Sequence, residues 1–439
     1  MLKVAFCTLG CKVNQYETNA LIQLFKKENY EIVDFSLKAD IYIVNTCTVT
    51  NLSDRKSRQM IRRAKKLNKD SVIVVTGCYA QVSKDEILKM PEVDIVTGTK
   101  EKLKILDIVE EFLGLKKSEI ENKVCFVENI SKHDKFDIFQ VTDFSDRTRA
   151  HVKIQDGCNQ YCSYCIIPFA RGQIRSKPLE DVVKEVLQII QKGYREIVLT
   201  GIHTTSYGKD LGIDLIDLIK KIHEVEDLAR IRLSSIEPNI ITKEFIKFLN
   251  EHPKVCRHFH ISLQSGCNKT LKDMNRKYDS YSFEKCVNLI RKNLIDASIT
   301  TDIMVGFPGE TDEDFLESYN FCKKQFFAKM HVFKYSPRKG TKSYNRKDQV
   351  EESKKEDRSK MMMALSGEMQ KEFNSTFVGK TMEVLLEDVV ENDKEFLAGY
   401  TDNYIKVLAK ADFELKGKIV NVKIQTANAD YLIGKLLLV

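Results

Sequence analysis

The chain has 439 residues, 12 of them cysteine, with 70 basic and 63 acidic side chains for a net charge of +7. That length predicts about three domains of ~150 residues, each able to bury its own core, and excludes a single small binding module. No apolar run approaches the ~18 residues of a membrane span and Lys3 and Lys12 bracket no cleavable leader, so a soluble, cytoplasmic protein is expected, whose cysteines bind metal or act in catalysis rather than form disulfides.

Up to about Leu115, short apolar or β-branched runs alternate with helix-like segments. Residues 2–7, 31–35, 40–44, 71–76 and 93–96 are predicted strands, and Ser83 with Glu86 reads as a capping box opening one helix. Residues 1–115 therefore form an α/β domain with a mostly parallel sheet. The polar stretch 116–145 reads as a linker, with 124–127 as one strand inside it.

A second alternating block spans 146–373, with strands over 151–154, 196–200, 230–234, 258–263, 299–305 and 330–335. Between the first two, Pro178 opens a helix with an apolar stripe at Val182, Val183, Val186, Ile189 and Ile190, and Gly193 stops it. Six βα repeats predict a partial TIM-type (β/α)6 barrel with its chemistry at the strand C-terminal ends. A charged, Met-containing helix follows over 351–373. Residues 374–439 switch to strands at 382–386, 396–400, 404–409, 419–424 and 432–438, a small five-stranded β-barrel.

The strongest signal is Gly157-Cys158-Asn159-Gln160-Tyr161-Cys162-Ser163-Tyr164-Cys165, directly after the first strand of the second block. Three thiolates on such a loop can hold three irons of a 4Fe-4S cluster and leave the fourth open for reaction. Zinc is the alternative, but structural zinc wants a fourth ligand, usually from a second pair, and none has helpful spacing. In the first domain Cys11, Cys47 and Cys78 each follow an apolar strand, and strand C-termini of a parallel sheet share one edge. One cysteine so placed reads as core packing; three favour a second iron-sulfur cluster. Cys7, Cys125, Cys256, Cys267, Cys286 and Cys322 lack a partner pattern and are assigned to structure.

The CxxxCxxC spacing, with Tyr164 just before its last cysteine, resembles the radical S-adenosylmethionine superfamily. That resemblance implies a cluster that binds S-adenosylmethionine and cleaves it to a 5′-deoxyadenosyl radical. It also makes Thr200 and Gly201, Ser234, Ser235 and Glu237, Gln264 and Asp302 candidate cofactor contacts, though a polar residue at a strand end is as often a turn former or helix cap.

With the three cysteines of the first domain, the stretches at 262–266, 274–278, 301–310 and 335–341 and the small terminal barrel, the whole chain resembles the methylthiotransferase family, whose C-terminal barrel is a TRAM domain. Gly10-Cys11-Lys12-Val13-Asn14-Gln15-Tyr16-Glu17-Thr18 is most similar to the branch acting on N6-threonylcarbamoyladenosine. The resemblance implies methylthiolation of carbon 2 of that nucleoside at position 37 of tRNA. It implies Cys158, Cys162 and Cys165 as ligands of the radical-generating cluster and Cys11, Cys47 and Cys78 as ligands of one that carries sulfur. The implied partners are a tRNA anticodon stem-loop and an electron-donor protein such as flavodoxin or ferredoxin.

Charge locates a candidate RNA surface. Residues 378–439 carry eight Lys against ten acidic residues, so bulk charge gives the terminal barrel no support. Asp54 to Asp70 instead carries Arg55, Lys56, Arg58, Arg62, Arg63, Lys65, Lys66 and Lys69 against two Asp. Such a run is usually a solvated helix face, but beside Cys47 it is expected to grip phosphates, with Arg55, Arg58, Arg62 and Arg63 as the contacts. Arg171, Arg175, Arg276 and Arg338 are further candidates, with structural ion pairs as the alternative. Rival functions are a methylthiotransferase for isopentenyladenosine or a ribosomal protein, a cobalamin-dependent radical enzyme, for which no Asp-x-His-x-x-Gly stretch is present, and a non-catalytic iron-sulfur or zinc RNA-binding protein.

Overall fold

Strand β1 (Lys3–Thr8) leads into helix α1 (Lys12–Lys27), and the alternation continues through β2 (Glu31–Val33), β3 (Ile41–Thr46), α2 (Asn51–Leu67), β4 (Val72–Gly77), α3 (Cys78–Val82), α4 (Lys84–Leu88), β5 (Ile95–Thr97), α5 (Ile105–Gly114) and β6 (Val124–Phe126). The computed structural model describes residues 1–114, 123–132, 135–139, 141–144, 147–391 and 393–437. The six strands are parallel, in the order β2-β1-β3-β4-β5-β6. β3 is buried along its whole length because helices cover both faces. Tyr42 and Val44 pack with Ile61 and Ala64 of α2, while Ile41 and Ile43 pack with Leu21 and Phe25 of α1 and Val109 of α5. β6 is the strand expected within the polar stretch. Ser83 does not form the expected capping box. It closes α3, donating its N–H to Tyr79 O, and its φ of −133° and ψ of 37° leave the side chain without a capping bond at α4.

The second block begins with β7 (Arg149–Lys153), then β8 (Gln155–Asp156), α6 (Ile167–Arg171), β9 (Arg175–Ser176), α7 (Leu179–Gln191), β10 (Glu196–Thr200), α8 (Leu215–His223), β11 (Arg230–Leu233) and α9 (Lys243–Glu251). It continues with β12 (His258–His260), α10 (Asn268–Asp273), α11 (Ser280–Asn293), β13 (Ser298–Val305), α12 (Asp312–Gln325) and β14 (Lys329–Lys334). Two parallel sheets, β7-β10-β11 and β12-β13-β14, are joined by bridges Ile231–Val255 and Ile236–Ile261. Six strands thus curve in chain order, and among the described residues none pairs β14 back to β7. Ala150, Val152, Ile197, Leu199, Ile231, Leu233, Phe259, Ile299 and Ile303 pack outward against the helices. By strand alternation the opposite positions, including His151, Arg232, His258, His260, Asp302 and His331, face the concave side. A packed TIM barrel would carry bulky apolar residues there, so this interior is built for a polar occupant.

Helix α13 (Glu352–Ser375) connects to a closed barrel of β15 (Thr381–Val390), β16 (Asp393–Thr401), β17 (Lys406–Lys410), β18 (Ile419–Ala427) and β19 (Leu432–Leu436), ordered β15-β16-β17-β19-β18. Val384, Leu386, Leu397, Val407, Val422, Ile424 and Leu432 fill it. The last residue expected in its final strand, Leu438, lies outside the described residues. This small barrel seats on the N-terminal ends of the large barrel's strands. Arg232 donates to Asp402 O at 2.8 Å and Thr401 O at 3.0 Å, and the His258 ring stacks on Tyr404 at 4.7 Å. Among the described residues no helix is long and apolar enough to cross a membrane.

Candidate active site

The CxxxCxxC loop runs between β8 and α6 at the C-terminal end of β7. Gly157, at φ +72°, starts it, and a Cβ there would lie 1.7 Å from Gln173 O, so only glycine fits. Cys158 N–H donates to Gly172 O at 3.0 Å and Cys165 N–H to Cys162 O at 3.0 Å, which folds the three thiols onto one turn. Burial pushes the Cys158 thiol up to about 11 and Cys165 to about 12, and the charge of Cys162 adds to both. Arg276 Nη1 donates to Cys162 Sγ at 3.3 Å, and its Nη2 is held by Glu237 at 2.9 and 3.0 Å. Arg276 therefore neutralises charge at the thiol loop, a different place from the RNA contact suggested for it.

Cys11, Cys47 and Cys78 converge as the parallel edge requires. Cys11 precedes α1, Cys47 follows β3 and Cys78 opens α3 after β4. Gly10, at φ +103°, passes so close that a Cβ would lie 2.8 Å from Cys47 Sγ. Burial raises Cys47 to about 11, with Cys78 and Cys11 contributing, and also raises Cys78 against the opposing charges of Arg171 and Lys102. Cys11 is exposed while Cys47 and Cys78 are buried.

The two cysteine edges face each other because α3, opened by Cys78, packs on α6, which begins two residues beyond Cys165. Arg171 at the end of α6 reaches across. Its Nε donates to Cys78 Sγ at 3.3 Å, and its Nη1 binds Glu17 at 2.9 Å and Asp156 at 3.0 Å. Lys153 binds the same two carboxylates at 2.7 and 2.6 Å, and Lys102 also pairs with Glu17. Burial alone would raise the pKa of Glu17 and Asp156, but Arg171 and the lysines overcome it and hold both carboxyls below the usual range. On the far side, Arg338 beyond β14 binds Asp54 and Asn51 at 2.7 Å. The first domain thus spans the gap between β14 and β7.

The sequence expectation of RNA contacts at Arg171, Arg175 and Arg338 is corrected. All three are buried, Arg175 donating to Arg171 O at 2.9 Å and Gln173 O at 3.0 Å, and they hold the domains and the thiol loop together. Arg55, Arg62 and Arg63 are exposed on α2. Arg58 is partly engaged by Tyr79 at 2.7 Å and Glu86 at 2.8 Å. Among the cofactor candidates, Tyr164 meets Phe307 edge-on at 6.4 Å, and Thr200 and Ser234 turn their hydroxyls to backbone carbonyls of Val198 and Leu199. Gly201 approaches Gln155, whose Oε1 would lie 2.9 Å from a Cβ there. Gln264, at φ +71°, ties its N–H to Asp302 O at 2.8 Å, while the Asp302 carboxylate pairs with His260 at 3.2 Å. Sequence reasoning missed the thiol-facing roles of Arg171 and Arg276; the only signal available was their nearness to the cysteine loop and to Met274-Asn275.

The donor chemistry fits iron-sulfur clusters. Each set is three thiols with an arginine to offset charge, and each buried thiol gives up its proton when metal binds. Among the described residues no side chains close on the spacing of a single ion; a cuboidal cluster is larger and takes its thiolates from wider apart.

An open (β/α)6 barrel with three thiols on its first loop is the architecture of radical S-adenosylmethionine enzymes, and residues 152–322 match the radical SAM superfamily. Residues 3–98 match the uncharacterized protein family UPF0004 and residues 375–437 the TRAM domain. The chain is 46% identical over 439 residues, 99% of itself and 96% of the relative, to the threonylcarbamoyladenosine tRNA methylthiotransferase MtaB of Bacillus subtilis. It is 40% identical to the MtaB of Aquifex aeolicus, over 96% of itself and all of the relative. A tRNA-2-methylthio-N6-dimethylallyladenosine synthase of Clostridium perfringens is 35% identical, over 99% of this chain and 98% of the relative. In fold the chain resembles the radical S-adenosylmethionine methyltransferase TsrM of Kitasatospora setae, with a TM-score of 0.57, 16% identity and 78% and 77% of the two chains covered. The chain belongs to the methylthiotransferase family, in its MtaB branch.

Proposed function

We propose that this protein methylthiolates carbon 2 of N6-threonylcarbamoyladenosine in tRNA. The observation that carries the reading is the full-length 46% identity to an MtaB methylthiotransferase, on a chain whose two cysteine triplets sit on facing edges. Carbon 2 of an adenine is an unactivated aromatic C–H that acid-base chemistry does not open. Clusters held by Cys158, Cys162 and Cys165 and by Cys11, Cys47 and Cys78 would supply, with S-adenosylmethionine, the one-electron and sulfur chemistry that this carbon requires.

The chain's own residues position those parts. Gly157 and Gly10 let backbone and thiols approach closely. Arg276 and Arg171 place a guanidinium on one thiol of each set, and the carboxylates of Glu237, Glu17 and Asp156 fix their orientation. Tyr164, Thr200, Gly201, Ser234, Glu237, Gln264 and Asp302 are proposed to border the S-adenosylmethionine. The exposed arginines of α2 are proposed to contact the anticodon stem around position 37, and a flavodoxin- or ferredoxin-like protein to supply electrons.

Mass spectrometry of tRNA nucleosides from cells lacking this gene tests the function. Loss of 2-methylthio-N6-threonylcarbamoyladenosine, with accumulation of its precursor, is expected. Persistence of that nucleoside would overturn the reading.

A further inference from the structure

Lys12 is the first residue of α1, directly after Cys11, so the backbone that places a proposed cluster ligand also aims this lysine. Its side chain is exposed to solvent, with protein packed around it on most sides. The groups close enough to act on its charge are Arg147, Arg149 and Arg232, which repel it, and the Tyr404 hydroxyl. His151 of β7, His258 of β12 and His331 of β14 feel its charge in turn. These residues come from strands on both sides of the barrel's open seam, which places the ammonium over the concave interior.

Two of the three arginines there are already matched, while Arg147 is exposed and, among the described residues, has no carboxylate partner. Arg232 pairs with Glu196 at 2.6 Å and Arg149 with Glu387 at 2.6 Å, and the Asp302 carboxylate lies 3.2 Å from His260 Nε2. Among the described residues, Lys12 has no carboxylate or hydrogen-bond acceptor within bonding distance. Nδ1 of His258, in the same wall, is also buried and unpartnered. A cation left among cations at the mouth of a polar cavity is completed by an anion brought in from outside.

We propose that Lys12 binds the free carboxylate of the threonyl group on the substrate nucleoside, and so selects an anionic N6 substituent over an apolar or neutral one. The inference rests on the proposed function, since it takes the nucleoside from there. An adenine presenting carbon 2 to the facing cysteine edges would project its N6 substituent away from them into the barrel, where Lys12 and the histidines lie. The contact would be a charge-assisted hydrogen bond between the ammonium and a carboxylate oxygen.

The test measures affinity of the full, iron-reconstituted chain for three anticodon stem-loop RNAs. One carries N6-threonylcarbamoyladenosine, one the same group with its carboxylate converted to the primary amide, and one plain adenosine. The wild type is expected to prefer the acid over the amide by about tenfold or more. Lys12→Met should abolish that preference with iron content intact, and Lys12→Arg should keep it. Full preference in Lys12→Met would overturn the inference. If the wild type makes methylthio product from the acid RNA but binds acid and amide alike, Lys12 is not the selector and the proposed function stands. If it forms no product from that RNA while cleaving S-adenosylmethionine, the proposed function fails and the inference with it.

Discussion

Arg171 and Cys78 meet across the boundary between the first two domains, the arginine Nε donating to the thiol sulfur at 3.3 Å. The same guanidinium holds Glu17 and Asp156, so one side chain links α6, α1, β8 and a proposed cluster ligand. Replacing Arg171 by Met leaves two buried carboxylates short of positive charge. Removing one partner of such a buried network costs about 3–5 kcal/mol. Denaturant unfolding of the Arg171→Met chain should show a loss of that order; a change within about 0.5 kcal/mol of wild type would mean the network contributes no stability.

Two separate cysteine triplets predict separable iron loading. Reconstituted wild type should hold about eight irons, as two four-iron clusters require. Cys11→Ala, Cys47→Ala or Cys78→Ala should each lower that toward about four while S-adenosylmethionine is still reductively cleaved. Cys158→Ala should abolish that cleavage. Iron analysis and 5′-deoxyadenosine assays report the two outcomes independently.

His151 gives stability a sign with pH. Burial, with Lys12, Arg147 and Arg149 adding, lowers its pKa from 6.5 to about 3 in the folded chain. Below about pH 6.5 the unfolded chain takes up a proton that the folded chain refuses, so unfolding becomes easier as pH falls from there toward 3. At 1.36 kcal/mol per unit this reaches about 5 kcal/mol in order of magnitude. Unfolding free energies measured from pH 7 to 4 should fall, and His151→Gln should flatten the slope.

RNA affinity should depend on the outer face of α2. Arg63 is exposed and Arg62 has only a long 3.8 Å contact to a partly exposed Glu92, so neither is committed to the fold. Reversing both to Glu should weaken tRNA binding and reduce its dependence on salt by about one unit of slope per lost phosphate contact. Arg58 differs, because Tyr79 and Glu86 already engage it, and its loss should cost stability as well as affinity.

The sequence by itself determined the three architectures and both cysteine sets. Strand and helix periods are local, and a CxxxCxxC loop or a cysteine ending an apolar strand is visible in a few neighbouring residues, as with Cys158 or Cys78. Ser83 shows the limit of local rules, since the turn closing α3 claimed the backbone that a cap would need. Only the tertiary structure decided what the long charged side chains do. Arg171, Arg175 and Arg338 look like any surface arginines in the sequence, yet burial forces each to find partners, and those of Arg171 and Arg338 lie in distant segments such as Glu17 and Asp54. Lys12 is the reverse case, a lysine beside a cysteine whose lack of a partner becomes visible only when the fold sets it beside the open barrel. The pairing of Arg171 with Glu17 and of Arg338 with Asp54 joins residues 154 and 284 positions apart, and no local pattern encodes it.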